Sequence, residues 1–351
     1  MTKSIYFAYP GDIQARTGGY GYDRKVISEL QKLGWDVQLV PLGDGFPFPT
    51  APTLTLADER LCALREGSVV LIDGLAFGTF GQIAQRLSQS LNLIALVHHP
   101  LALEGGLTAE AAAGLAHSEK QALSYARAIL VTSSTTQKQL VETYGVPASK
   151  VTVAVPGTDP GVRARGGVAI PRIISIGSII PRKGHDVLVL ALAQIADLPW
   201  QCKIIGSRSM DGEYTIKLVR QIANCGLSDR IILAGQVDDT RSELAHSDIF
   251  ALASRYEGYG MAFAEALSHG LPIVACRAGA VPEVVPDDAG LLVAPDDPLG
   301  FADALRRLLV NEDLRNTMAA ASFRHGASLP VWADTAQRCV TAIESVTNDR
   351  V

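Results

Sequence analysis

Little in this 351-residue chain assigns it at a glance, and several absences are informative. The five cysteines (Cys62, Cys202, Cys225, Cys276 and Cys339) are scattered and never stand as C-x-x-C, so neither a disulfide framework nor a zinc site is expected. They read as buried thiols of a reducing compartment. Basic residues do not outnumber acidic ones: the formal charge is −5, which offers no electrostatic footprint for nucleic acid. No segment reaches the roughly 18 apolar residues of a membrane span. The opening "MTKSIYFAYP" holds too short an apolar run for a signal peptide, and a cytoplasmic protein is expected. Weak peripheral contact at the inner membrane face stays open, although no strongly basic amphipathic helix argues for it.

Several catalytic signatures are missing too. The run Gly177 to Gly184 has Arg-Lys where a P-loop needs Gly-Lys, and there is no D-x-D, no H-E-x-x-H and no G-x-S-x-G. The opening "ARTGGYGYDRKV", Ala15 to Val26, resembles a dinucleotide loop but lacks the third glycine after Gly19-x-Gly21. It also lies some ten residues beyond its strand, by the sequence reading, where a dinucleotide turn should be immediate. A dehydrogenase reading is therefore weak.

What the chain does have is alternation. "SIYFAY", "DVQLV", "SVVLID", "LNLIALV", "RAILVTS" and "VTVAV" read as buried strands with helix-period segments between them, such as Val26, Ile27, Leu30 and Leu33 ending at Gly34. Such alternation predicts a parallel sheet covered on both faces. "VPGTDPGVRARGGVAIP" then breaks the pattern with a linker composition. The alternation restarts through "RIISIG", "QCKIIG", "RIILAG", "IFALA", "PIVAC" and "GLLVAP". The expected architecture is α/β: two doubly wound parallel-sheet domains, residues 1–160 and 161–330, and a last helix within 331–351. One long sheet with an exposed loop near residue 160 is the alternative. Ligands of such sheets sit outside the carboxyl ends of the strands, so chemistry is sought in the loops that follow them.

Three such loops stand out. In "GSIIPRKGHD", Gly177 permits a tight turn, Arg182 and Lys183 place two cations at a strand end, and Asp186 reads as the N-cap of the next helix. A guanidinium fork and an ammonium suit a diphosphate, but a basic turn alone is also common surface. In "SRYEGYGMAFAEALSHG", Glu257 lies in the loop, Gly258 and Gly260 allow close backbone approach, and the following helix offers free N–H groups to an anion. Glu265 sits among apolar residues of that helix; periodicity alone admits a partnered inward position or the wet side. In "LIALVHHPLALEGG", His98 and His99 fall at a strand end, where a histidine either faces a ligand or merely caps the strand.

Together these segments resemble the retaining glycosyltransferases of family 4, with the GT-B architecture of two facing Rossmann-like domains and a cleft between them. The resemblance rests on Gly18 and Gly19, "VHHP", "VPGTDP", "GSIIPRKGHDVLVLALA", "GLSDRIILAG", "SRYEGYGMAFAEALSHGLPIVA" and "AVPEVVPDDAGLLVAPDD", and so runs over nearly the whole chain. The Glu-x7-Glu pair, Glu257 and Glu265, is its most specific part. The resemblance implies that Arg182 and Lys183 clamp a donor diphosphate and stabilise the leaving group. It implies that Glu265 binds the ribose and that Glu257 contacts the donor sugar. Backbone N–H groups of Gly258, Tyr259, Gly260 and Met261 would reach sugar hydroxyls or phosphate, with Gly177, Gly18 and Gly19 completing the donor contacts. His98, rather than His99, matches the family histidine near the donor sugar, and Arg16, Tyr20, Tyr22 and His99 are candidate acceptor contacts. Tyr259 stands where phenylalanine is more usual, and His99 where an acidic or polar residue is common. The last helix resembles the segment that crosses back to the N-terminal domain.

The implied reaction moves a hexosyl unit from a UDP- or GDP-sugar to an acceptor hydroxyl of a glycan, lipid-linked or small molecule. No cofactor and no metal are expected, since Arg182, Lys183 and a helix end take the place of a cation, in keeping with the missing D-x-D. A nucleotide-sugar epimerase or hydrolase of the same shape, or a non-catalytic nucleotide-sugar-binding protein, are the alternatives.

Overall fold

Runs of Val, Ile and Leu suit a pleated surface that is covered on both faces. A computed structural model describes residues 3–166 and 169–348. Gly167 and Val168 of the expected linker, and residues 1–2 and 349–351 of the expected terminal domains, lie outside the described residues. The chain forms two units: one is built up to Gly157 together with the segment from Pro330 onward, and the other is Thr158–Leu329.

In the first unit, β1 (Ser4–Tyr9), β2 (Asp36–Pro41), β3 (Val69–Asp73), β4 (Asn92–Val97), β5 (Ala128–Val131) and β6 (Val151–Val153) make one sheet in the order β2-β1-β3-β4-β5-β6. Every pairing is parallel, with Phe7 opposite both Leu39 and Leu71, and Ile94 opposite both Leu71 and Ala128. β3, β4 and β5 are buried along their whole length, whereas the edge strand β2 buries only Val37 and Val40. The helix Gly18–Lys32 starts on a Thr17 cap and is closed by Gly34 at φ +83°, a left-handed position that glycine holds without strain. The helix Trp332–Asn348 belongs to this unit. Its Thr335 hydroxyl donates to the Val155 carbonyl at 2.7 Å, and any Cβ on Gly157 would collide with the Trp332 backbone.

One buried acid gives the first unit a pH-dependent stability. Glu119 is sealed in the core, where its Oε2 accepts from the Leu101 amide at 2.9 Å. Burial pushes its carboxyl up to about 8, against the opposing pull of that amide. The folded chain therefore holds a proton that the unfolded chain releases above its ordinary value of 4.5, and stability falls as pH rises from there towards 8. Glu119→Gln should flatten that slope, so that its melting temperature relative to the parent is higher at pH 8 than at pH 5. A variant that tracks the parent at both pH values would contradict the assignment.

The second unit repeats the plan with β7 (Arg172–Ile176), β8 (Gln201–Ile205), β9 (Ile231–Gly235), β10 (Ile249–Leu252), β11 (Ile273–Cys276) and β12 (Gly290–Val293) in the order β12-β11-β10-β7-β8-β9. Its pairings are parallel throughout. The fold is thus two doubly wound parallel sheets with helices, as the alternation predicts; the single long sheet is excluded. Strand order reverses between β7 and β10 in this unit and between β1 and β3 in the first. A doubly wound sheet opens a crevice at such reversals, outside the carboxyl ends of the strands. All five cysteines are free, and among the described residues no helix is long and apolar enough to cross a membrane.

Candidate active site

The loops after β7 and β10 meet at the reversal point of the second sheet, and they carry the two strongest sequence motifs. β7 ends at Ile176, and Gly177 begins a turn whose last residues, Pro181–Lys183, form one turn of 3-10 helix. Gly184 closes it at φ +62°, with no room for a Cβ against the Ala253 carbonyl oxygen. This close approach lays Arg182 and Lys183 on the chain leaving β10: the Arg255 amide donates to the Arg182 carbonyl at 2.8 Å, and Arg182 Nη1 donates to the Tyr256 carbonyl at 3.1 Å.

Glu257 is the centre of the cluster. Lys183 Nζ donates to its Oε1 at 2.7 Å, the Ser254 hydroxyl donates to the same oxygen at 2.6 Å, and Arg182 Nη1 lies 3.6 Å from Oε2. The residue is only 5 % exposed. Burial alone would raise its carboxyl, but the Lys183 and Arg182 charges override this and hold it below the usual carboxylate range. Two cations against one carboxylate leave an excess of positive charge at the strand ends.

The helix that follows, Met261–Ser268, starts at Gly260 with φ +100° and has no side-chain cap, so its first N–H groups are available to an anion. Tyr259 is buried. Phe263, Ala264, Ala266 and Leu267 face inward, whereas Glu265 shares the half-buried face of Met261 and Ala262, one turn from the helix start. Glu265 is therefore neither a core acid nor fully solvated. Asp186 is corrected: Gly184 caps the helix His185–Ala193, and Asp186 stands in its first turn. Its carboxylate takes a two-pronged bond from Arg255 at 3.0 and 2.8 Å and a bond from the Tyr214 hydroxyl at 2.7 Å. Arg255, which sequence reasoning passed over, also reaches Asp296 at 2.7 Å and so braces the turn that carries the two cations.

In the first unit, Gly18 and Gly19 open the helix, with the Thr17 hydroxyl accepting from the Tyr20 amide at 3.3 Å. Gly19 alone makes a close approach: a Cβ there would touch the His98 ring at 3.4 Å, whereas at Gly18 it would meet nothing within 4 Å. His98 sits just beyond β4 with Nε2 3.1 Å from Asp23 Oδ1 and 3.9 Å from Asp73 Oδ2. Burial and the neighbouring Asp23 charge push the Asp73 carboxyl up to about 8. These three are the one group among the described residues whose donor atoms lie close enough together, within 4.8 Å, to surround a cation. Shared protons account for the same spacing.

The remaining candidates separate. His99 Nε2 pairs with Glu104 Oε1 at 2.6 Å, away from the His98 cluster's carboxylates. Arg16 is exposed, and Tyr20 is half-buried with its hydroxyl donating to the Pro10 carbonyl at 2.7 Å. Tyr22 is not an acceptor contact. It is 1 % exposed, packs edge-on against Trp332 and donates to the Ala154 carbonyl at 2.9 Å, as a core residue does. Asp23 and Asp73 were missed. Asp23 had a signal, since it lies at i−3 and i−4 from Val26 and Ile27, on the apolar face of its helix.

Residues 170–311 match the family model described as glycosyl transferases group 1. The D-inositol 3-phosphate glycosyltransferase of a Nocardioides species is 30 % identical over 279 residues, which cover 72 % of this chain and 60 % of that protein. The chain spans about 60 % of the length of the first curated relatives it matches. Among solved structures, sucrose-phosphate synthase from Thermosynechococcus elongatus aligns with a TM-score of 0.82 at 20 % identity, covering 97 % of this chain and 99 % of that one. Anabaena Alr3699/HepE in complex with UDP and glucose aligns with a TM-score of 0.78 at 17 % identity, covering 97 % and 100 %. At these identities the likeness is one of fold, two Rossmann-like domains of the GT-B type. With that fold, the matched segment, residues 170–311, carries the glycosyl transferases group 1 pattern and spans both the Arg182–Lys183 turn and the Glu257 loop.

Proposed function

We propose that the protein transfers a glycosyl unit from a nucleotide-diphosphate sugar to an acceptor hydroxyl, with retention at the anomeric carbon and without a metal. The observation that carries this reading is the buried Lys183–Glu257 pair with Arg182 beside it, at the reversal point of the second sheet. The bond from the anomeric carbon to the diphosphate oxygen breaks, and its electron pair leaves with the diphosphate. A bond from the anomeric carbon to the acceptor oxygen forms on the same face, and the acceptor proton passes to the departing phosphate oxygen. Positive charge grows on the sugar and negative charge on the leaving group as the bond stretches. Arg182, Lys183 and the uncapped helix start at Met261 place positive ends where the negative charge grows, once the diphosphate takes the two cations from Glu257. Glu265, on the half-buried face one turn further, suits a ribose diol. The proposed donor is a UDP- or GDP-sugar and the proposed acceptor a polyol, glycan or lipid-linked hydroxyl; the relative named as a D-inositol 3-phosphate glycosyltransferase supports the polyol.

The test is a thermal-shift screen of UDP-, GDP- and ADP-sugars, followed by incubation of the stabilising donor with polyol and glycan acceptors. A donor that raises the melting temperature and a product of unchanged anomeric configuration are expected, at a rate that a chelator leaves unaltered. Release or epimerisation of the sugar without any acceptor would replace transfer by hydrolysis or epimerisation. Binding with no turnover of any acceptor would leave only a binding protein.

A further inference from the structure

The helix Gly18–Lys32 turns an acid inward where its neighbours are apolar: Asp23 is fully buried beside Val26, Ile27 and Leu30. A carboxylate in that position is costly unless a partner holds it. Its partner is His98 Nε2 at 3.1 Å, and Asp23 Oδ2 has no other among the described residues. The residue is held on all but one edge of its ring. Tyr22 stands edge-on with centroids 5.3 Å apart, Gly19 covers the Cδ2 edge, and the Thr132 hydroxyl donates to the His98 carbonyl at 3.0 Å. Among the described residues no group bonds the other ring nitrogen, Nδ1, and it is not sealed from solvent, while the side chain keeps 20 % of its surface.

We infer that Asp23 is a positioning residue: it takes the Nε2–H of His98 and so leaves Nδ1 as the atom the ring offers to a carbohydrate hydroxyl. The carbohydrate rests on the glycosyl-transfer reading; the orientation does not. A neutral imidazole with no such partner divides its proton between the two nitrogens, and a buried carboxylate on one of them settles the tautomer. Burial opposes a charged ring, but the Asp23 charge and hydrogen bond, with Asp73 behind them, outweigh it and raise the affinity for a second proton. With that proton, Nδ1 donates to the hydroxyl oxygen. The titratable groups that face the ring are Asp23 and Tyr22 from the helix Gly18–Lys32 and Asp73 from the end of β3, with Tyr20 near the two acids and Cys339 behind Tyr22.

The full chain labelled with 15N-histidine tests this directly, with the His98 signal identified by its loss in His98→Gln. Nε2 should stay protonated across the titration while Nδ1 alone titrates, and in Asp23→Asn the midpoint should fall and the fixed tautomer be lost. A neutral His98 that carries its proton on Nδ1 in the parent protein overturns the proposal without any variant. In transfer assays Asp23→Asn should lose about tenfold or more in kcat, the size expected for a misplaced ligand contact, and Asp23→Glu should restore part of it. UDP affinity should stay unchanged in both. Equal losses in Asn and Glu variants, with a parent-like His98 spectrum, would mark a packing role and overturn the proposal, as would a stoichiometric metal ion on His98. If the spectra behave as expected but no sugar is transferred, the transfer reading fails and the Asp23 assignment stands.

Discussion

Replacing Lys183 by Ala is expected to cut glycosyl transfer by about 100-fold or more, the loss typical of removing one preorganised donor from a developing negative charge. The variant removes more than a charge. Glu257, 5 % exposed, loses its 2.7 Å bond from Nζ and keeps only the Ser254 hydroxyl and the more distant Arg182. Its carboxyl, now held down by one cation rather than two, should titrate at higher pH than in the parent. UDP affinity should fall by about 10- to 100-fold, since a charge-assisted hydrogen bond contributes roughly 1.5–3 kcal/mol. Lys183→Arg keeps the charge but not the geometry, because a planar fork cannot follow the path of a flexible ammonium against Glu257, and it should recover binding better than rate. Steady-state kinetics and UDP titration separate the two effects. Transfer at the parent rate in Lys183→Ala would remove Lys183 from the diphosphate.

How much of this arrangement was legible beforehand depends on how local the signal is. The strands were legible because an apolar run bounded by Gly, Asp or Pro has one economical placement; β1 and β7 fall where "SIYFAY" and "RIISIG" put them. Gly34 was legible as a helix end for the same local reason. Tyr22 as an acceptor contact presupposes a glycine loop at its position, where the chain is already helical. Once the helix starts at Gly18, Tyr22, Val26 and Leu30 share one face and the burial follows. Asp186 was placed two residues off because a left-handed Gly184 caps by backbone shape, which composition does not announce. The His98–Asp23 bond joins residues 75 positions apart and the Lys183–Glu257 pair residues 74 apart. Only the sheet order brings them together, so the motifs named most of the participants and none of the partnerships.

Glu257→Gln is the second large effect, and it should differ from the lysine variant in sign at one readout. The amide keeps an oxygen for Lys183 or the Ser254 hydroxyl but carries no charge, so two cations with side chains 14 % and 16 % exposed lose the carboxylate that holds them. Removing one member of a buried pair costs about 3–5 kcal/mol when nothing replaces it, and the amide should lower the loss to the bottom of that range. Acid sensitivity should change as well. A carboxyl held below its ordinary value of 4.5 contributes stability that is present above that pH and is lost as pH falls through the lower folded value. The glutamine variant should lack that part of the acid transition. UDP should bind no more weakly than to the parent, because the internal competitor for Arg182 and Lys183 has gone, whereas Lys183→Ala binds it less well. Transfer should still fall by about 100-fold, since the sugar loses a fixed acceptor whose worth is that of a preorganised electrostatic contact. Tighter or equal UDP binding with collapsed turnover would separate the role of Glu257 from that of the cations. Weakened UDP binding with unchanged turnover would reverse the assignment, making the carboxylate a support for the diphosphate site and not a contact of the sugar.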